Sequence, residues 1–192
     1  MKAYWVVGIT LAAGLNVRAE ECVVIVFANV GPTTPTGMLQ HARLKSAEMF
    51  REIGVDVRWR AGSVRANSAD NACGKPIVVQ FENAGGVQIA PDALAYAAPF
   101  TESGAYIHVF VNRVLAYPNE RLETAVLAHV LTHEITHVLE RINRHSATGI
   151  MKAHWDCADL LRMESDPLPF AAEDVELIHR GVVNRIPQSA AD

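Results

Sequence analysis

The chain has 192 residues, half of them apolar, and a formal net charge of −4. This length suits one compact domain with a substantial core and is short for two. The lack of a basic surplus argues against a nucleic-acid partner and against binding to an anionic membrane surface.

The N-terminus has the pattern of an export signal. Lys2 gives a positive start, residues 3–15 form a short apolar run, and Val17-Arg18-Ala19 matches a small-x-small cleavage site. The run is shorter than the ~20 residues that span a bilayer, so we expect no stable membrane anchor. The sequence therefore predicts a signal peptide over residues 1–19 and a secreted or periplasmic mature chain.

Three cysteines remain after such a cleavage: Cys22, Cys73 and Cys157. An exported chain can form disulfides, and one of the three thiols must then stay without an intramolecular partner. A bridge between Cys22 and Cys73 is preferred, because it would tie the first strand to a loop in the same half. The other two pairings stay open.

The first half of the chain has alternating strand and helix patterns. Residues 22–28 predict a buried strand, residues 35–53 a helix, and residues 55–59 a strand with one wet face, which together suggest a parallel crossover. Further strands are predicted at residues 76–81 and 105–111, and residues 93–98 between two prolines predict an edge strand.

The second half is helical. Apolar residues recur at helical spacing over residues 119–142, which predicts a long helix largely surrounded by protein. Residues 156–164 and 171–185 predict two shorter helices separated by a proline-containing break.

The long helix contains His133-Glu134-Ile135-Thr136-His137. Histidines four residues apart project from one helical face and can reach a single cation. A carboxylate beside them suits a zinc hydrolase, in which it accepts a proton from the water that attacks the substrate. The motif therefore predicts one catalytic Zn²⁺ bound by His133 and His137, with Glu134 as general base.

His129 extends this series but cannot share the ion with His137. Eight helical residues rise about 12 Å, whereas a zinc–nitrogen bond is about 2.1 Å long. We expect His129 to be a packing residue or to lie just outside the metal ligands.

A catalytic zinc site needs a third protein ligand. His145 is preferred, because Asn143 can adopt the left-handed conformation that ends a helix and lets the chain turn back. The alternatives that stay open are His154 and a glutamate, with Glu164 and Glu173 as the candidates.

The motif and the residues after it resemble the metzincin clan of zinc peptidases. His145-Ser146 is similar to the histidine-serine pair of the matrixins, and Gly149-Ile150-Met151 is similar to the Met-turn. Two features differ: His145 follows His137 by eight residues where metzincins typically have six, and Glu140 stands where they usually have glycine. We expect about half an extra turn of helix and a broader loop.

The resemblance implies an α+β fold with a mixed twisted sheet and two long helices, the second carrying the zinc motif. It implies one peptidase domain over residues 20–192, with an N-terminal subdomain (20–143) and a small helical C-terminal subdomain (144–192). It also implies that Met151 lies beneath the zinc.

We therefore expect a secreted zinc endopeptidase whose peptide or protein substrate lies along the edge strand at residues 93–98. Tyr106 and Tyr117 are candidate donors to the developing oxyanion, and His154 and Trp155 are candidate cleft residues. Two other functions stay open: a zinc-binding protein without catalysis, and a zinc hydrolase of a non-peptide amide.

Overall fold

The computed structural model describes residues 23–31, 33–62, 73–83, 92–101 and 104–185. The predicted signal peptide and Cys22 lie outside these residues. Across the described ranges, none of the helices combines the length and the apolar character that crossing a bilayer requires.

The described residues form a five-stranded sheet and five helices. The strands are β1 (Val23–Val30), β2 (Asp56–Ala61), β3 (Ile77–Glu82), β4 (Ala95–Thr101) and β5 (Gly104–Phe110). The helices are α1 (Thr36–Glu52), α2 (Val111–Val114), α3 (Glu120–Glu140), α4 (Cys157–Ser165) and α5 (Ala172–Val183).

The strand order in the sheet is β2-β1-β3-β5-β4. β1 pairs in parallel with β2 and β3, and β3 pairs in parallel with β5. β4 runs antiparallel to β5 at the edge of the sheet. The predicted β1-α1-β2 parallel unit and the predicted edge strand are thus both confirmed.

The main core lies between one face of the sheet and helices α1 and α3. Successive side chains of a strand point to opposite faces, and one set on the central strands is fully buried against the helices: Val24, Val26, Ile77, Val79, Ile107 and Val109. Burying each such side chain contributes about 1.5–3 kcal/mol. This packing holds α3 across the sheet next to β4 and β5.

Helix α2 is not predicted by the sequence, which extends the last strand through Val111. The strand ends one residue earlier, and Leu115 N donates to Val111 O at 2.9 Å to close a helical turn. Val111 and Val114 are both buried, so the apolar run continues although the backbone changes from strand to helix.

Helix α5 packs closely on the end of α3. A Cβ atom placed on Gly181 would lie 1.8 Å from the carbonyl oxygen of Leu139, so only glycine permits this approach. Ile178 and Val182 of α5 are buried in the same contact region. Helix α5 is therefore fixed relative to α3.

Cys73 is disulfide-bonded and Cys157 is a free, exposed thiol. The backbone N–H of Cys73 also donates to Val23 O at 2.9 Å, which places it beside the first strand. Cys22, the preferred partner in the sequence, lies outside the described residues.

Candidate metal centre and cleft

Helix α3 carries the histidine motif and ends in a left-handed residue, but that residue is Arg141 and not Asn143. Arg141 has φ 59°, and its N–H donates to His137 O at 3.0 Å. Ile142, counted as helical in the sequence, is 41% exposed and lies past the end. The left-handed residue thus lies one position past Glu140, the usual glycine position of metzincins, and the helix does not gain the expected half turn.

The polar residues of the motif lie in a buried part of α3, in which every residue from 125 to 140 is buried. His133, Glu134 and His137 are each 8% exposed. Burying such groups is costly unless they have partners, so their contacts indicate what they do.

The imidazoles of His133 and His137 face each other. Their Nε2 atoms are 3.1 Å apart. On the far side of each ring, Nδ1 donates to a backbone carbonyl: His133 to Ile150 O at 2.9 Å and His137 to Ile142 O at 3.3 Å. With the protons on Nδ1, both Nε2 lone pairs point into the same space.

This arrangement fits a bound cation. Two nitrogens bound to a tetrahedral zinc at about 2.1 Å would be separated by about 3.4 Å, close to the observed spacing. Burial lowers the pKa of His133 to about 3 and lowers that of His137, so both rings stay neutral, as metal ligands must be. Without a cation, two acceptor lone pairs would repel each other.

The loop after α3 brings His145 to this pair. Its ring centroid lies 5.3 Å from that of His133 and 5.1 Å from that of His137. One ligand atom from each of the three histidines lies within 4.8 Å of the others. In the described part of the chain, no other three His, Cys, Asp or Glu residues come together in this way.

The alternative third ligands lie elsewhere. His154 is exposed and has its Nδ1 3.9 Å from Asp92 Oδ2 across the cleft. Glu173 pairs with Arg144 at 3.3 Å, and Glu164 lies at the end of α4, where its backbone carbonyl accepts from Arg121. Neither glutamate is part of the histidine group.

Glu134 lines the cleft beside His133 and His145. Burial raises the pKa of its carboxyl to about 8, because the charged form is poorly solvated there. A cation held by the neighbouring histidines would favour the carboxylate. Glu134 is therefore a buried carboxyl group beside the three histidines, placed to exchange a proton with a ligand in the cleft.

The turn containing Met151 lies against the histidines. Ile150 and Met151 are fully buried, and the Ile150 carbonyl accepts from His133. Gly149 has φ 76°, and a Cβ there would lie 2.1 Å from Pro169 O, so the turn requires glycine. The turn thus orients one of the three imidazoles.

His129 is not part of the histidine group. Its Nδ1 donates to Ala125 O at 2.7 Å, and its Nε2 accepts from Leu168 N at 3.0 Å. The ring is fully buried, and burial lowers its pKa to about 4. A neutral His129 holds the segment between α4 and α5 against α3.

A cleft of about 360 Å³ opens on the histidines between the start of β4 and the segment after Met151. Its walls are Asp92, Ala93, Leu94, Ala95, Tyr117, Val130, Lys152, Ala153, His154 and Trp155. Trp155 packs edge-on against His133, with ring centroids 5.7 Å apart. The cleft therefore has the edge strand along one side and a tryptophan beside the histidines.

The two candidate tyrosines lie in different places. Tyr117 lines the cleft together with Glu134, and burial raises the pKa of its phenol. Tyr106 alternates along β5 with Ala105 and Ile107, which face the helices, so its side chain is on the other face of the sheet. Of these two tyrosines, Tyr117 is the one that can contact a ligand in the cleft.

One polar contact near the histidines has no signal in the sequence. Asp174 in α5 is fully buried and accepts hydrogen bonds from Arg144 and Ser146, the two neighbours of His145 in the chain. Because Asp174 is 28 residues from Ser146, no local spacing pattern could reveal this contact.

Comparison with known proteins supports the architecture. No protein-family model matches the chain, and no curated protein matches its sequence. The crystal structure of archaemetzincin from Methanopyrus kandleri superposes on it with a TM-score of 0.54 at 18% identity, covering 88% of this chain and 99% of archaemetzincin. The chain therefore has an archaemetzincin-like fold, as the metzincin resemblance of its sequence predicts.

Proposed function

We propose that this chain is an exported zinc-dependent endopeptidase. The observation that carries the proposal is the convergence of three imidazoles, two of which have their lone pairs directed at each other 3.1 Å apart. His133, His137 and His145 would hold the ion. A zinc ion bound there supplies a Lewis acid, which polarises a carbonyl and lowers the pKa of water toward neutrality.

The chain supplies the proton transfer through Glu134. Its carboxylate would take a proton from the attacking water and pass it to the leaving amine nitrogen. Burial raises the pKa of this group to about 8 in the metal-free site, and a cation held by the three histidines would lower it and favour the carboxylate that the base needs. Proton transfer by a positioned side chain accelerates such reactions by about 10²–10⁴-fold.

The edge strand favours an extended peptide as substrate. β4 is hydrogen-bonded to β5 on one side and is the last strand of the sheet. An extended peptide can pair with such an edge through its backbone. The start of β4 also forms a wall of the cleft, so a peptide bound along it would pass over the histidines.

Export fits the cysteine chemistry. Cys73 is disulfide-bonded, and structural disulfides persist mainly outside the cytosol. This agrees with the export signal that the sequence predicts at residues 1–19.

The test compares the zinc-loaded wild type with Glu134→Gln on a peptide library. We expect kcat/KM to fall by about 10²–10⁴-fold while zinc affinity is retained. Glu123→Gln is the matched control, because Glu123 is in the first turn of the same helix and remote from the motif; it should match the wild type.

Three outcomes would contradict the proposal. Unchanged activity in Glu134→Gln would remove Glu134 as the base. A wild type that binds one zinc ion but cleaves no peptide would be a zinc-binding protein without catalysis. Turnover restricted to non-peptide amides would identify a different zinc hydrolase.

A further inference from the structure

His145 differs from the other two histidines in what holds its ring. His133 and His137 are in a regular helix, and each donates an Nδ1 hydrogen bond to a backbone carbonyl. His145 is in the irregular segment after α3, is exposed, and has no ring hydrogen bond among the described residues. The position of its imidazole therefore depends on the backbone of its own loop.

That loop is held by Asp174 on both sides of His145. Arg144 Nη2 donates to Asp174 Oδ1 at 2.7 Å, and Ser146 Oγ donates to the same oxygen at 2.6 Å. Arg144 Nη1 donates to Ser146 Oγ at 3.1 Å. The three side chains form a closed triangle that joins the two residues flanking His145.

Asp174 is itself firmly placed. Its second oxygen, Oδ2, accepts from Ala171 N at 3.2 Å at the start of α5, so both carboxylate oxygens are bonded. The side chain is fully buried, where charge-assisted hydrogen bonds are strongest. Helix α5 is fixed against α3 by the contact of Gly181 with Leu139.

We propose that Asp174 is a positioning residue for His145. It touches neither the imidazole nor the cleft and acts by fixing the two residues that flank His145 relative to α3. The inference rests on the proposed metal centre, because it assigns to Asp174 the geometry of the third ligand. A residue that only capped α5 would contribute to folding and leave metal affinity unchanged.

The experiment measures metal binding and does not require turnover. The full chain is prepared as wild type, Asp174→Ala, Asp174→Asn and His145→Ala, and zinc dissociation constants are obtained by chelator competition. Visible spectra of the Co²⁺ forms report coordination number, since four-coordinate Co²⁺ absorbs more strongly than five- or six-coordinate Co²⁺. Thermal unfolding of the metal-free proteins shows which variants fold.

Glu173→Ala is the matched control. Glu173 is the adjacent acid on α5 and also pairs with Arg144, at 3.3 Å, but it is exposed. We expect Asp174→Ala to bind zinc about 10–100-fold more weakly, with a Co²⁺ spectrum shifted toward that of His145→Ala. Asp174→Asn, which keeps one acceptor oxygen, should be intermediate, and Glu173→Ala should match the wild type.

A folded Asp174→Ala with wild-type zinc affinity and an unchanged Co²⁺ spectrum would overturn the inference. If Asp174→Ala does not fold, Ser146→Ala is the deciding variant, because it removes two of the three hydrogen bonds of the triangle without altering α5. Wild-type affinity in Ser146→Ala would then overturn it. If the wild type binds no zinc, both the proposed metal centre and this inference are contradicted. If the wild type binds zinc but cleaves no peptide, only the proposed function is contradicted.

Discussion

His133 and His137 are joined by no hydrogen bond although their Nε2 atoms are 3.1 Å apart, because the Nδ1 protons of both rings are donated to backbone carbonyls. Two acceptor lone pairs at this distance repel each other in a buried site. The folded protein thus carries a local electrostatic cost that a cation between the rings would relieve.

Zinc should therefore stabilise the fold. At a free zinc concentration about 100 times the dissociation constant, binding to the folded state alone adds about 2.7 kcal/mol. For a chain of this size the unfolding midpoint should rise by about 5–10 °C. Differential scanning calorimetry with and without zinc measures this; His137→Ala should lose the shift, and the exposed His41→Ala should keep it.

The third ligand can be assigned by comparing two exposed histidines. His145→Ala should weaken zinc binding by more than about 10²-fold. Losing a residue that only orients a ligand costs about 10–100-fold in metal affinity, and losing the ligand itself should cost more. His154→Ala should bind as the wild type does, because His154 lies across the cleft near Asp92. The reverse ranking in a chelator titration would make His154 the ligand.

Acid should destabilise the protein through His129. Burial lowers its pKa from 6.5 to about 4, so below about pH 6.5 the unfolded chain binds a proton that the folded chain does not. The contribution of neutral His129 to the free energy of unfolding is complete above about pH 6.5. It is lost progressively as the pH falls from there to about 4. From about pH 7.5 to about pH 5, this residue alone should remove about 2 kcal/mol from the free energy of unfolding.

The check is urea unfolding at both pH values for the wild type and for His129→Gln. Glutamine does not titrate and can still accept a hydrogen bond from Leu168 N. Between the two pH values, His129→Gln should therefore lose about 2 kcal/mol less of its free energy of unfolding than the wild type does. Identical pH dependence in the two proteins would show that His129 is not the group responsible.

Two glycine substitutions should have opposite effects. Gly181→Ala places a Cβ 1.8 Å from Leu139 O and should lower the free energy of unfolding by about 2–3 kcal/mol through overpacking. Gly37→Ala meets no atom within 4 Å in the first turn of α1 and should raise it by about 0.5–1 kcal/mol. Urea unfolding midpoints measure both, and a neutral Gly181→Ala would mean that α5 can shift off α3.

Much of the fold follows from local patterns in the sequence. The apolar run of β1 and the helical spacing of Leu39, Ala42 and Phe50 are strong periodic signals, and the structure places the corresponding elements within two residues of their predicted bounds. The motif spacing also brings His133 and His137 to one face of α3. These features depend on side chains that are near each other in the chain.

What the sequence does not reveal depends on contacts between distant segments. Helix α3 ends at Arg141, and the chain turns into α2 after Phe110. At both places two backbone conformations have similar local preferences, and tertiary packing determines which one forms. The contact of Asp174 with Arg144 spans 30 residues. Neither residue type nor spacing distinguishes such an aspartate from the neighbouring Glu173, which is exposed.

Docking of α5 on α3 is coupled to the side-chain contacts of the loop that carries His145. Asp174 lies on α5, so its hydrogen bonds to Arg144 and Ser146 form only when α5 is seated against Leu139 of α3. Without that docking, Ser146 keeps its backbone hydrogen bond to Met151 O, but both flanks of His145 lose their contact with the buried carboxylate. A substitution that loosens the C-terminal helix would therefore reach the histidine cluster without touching it.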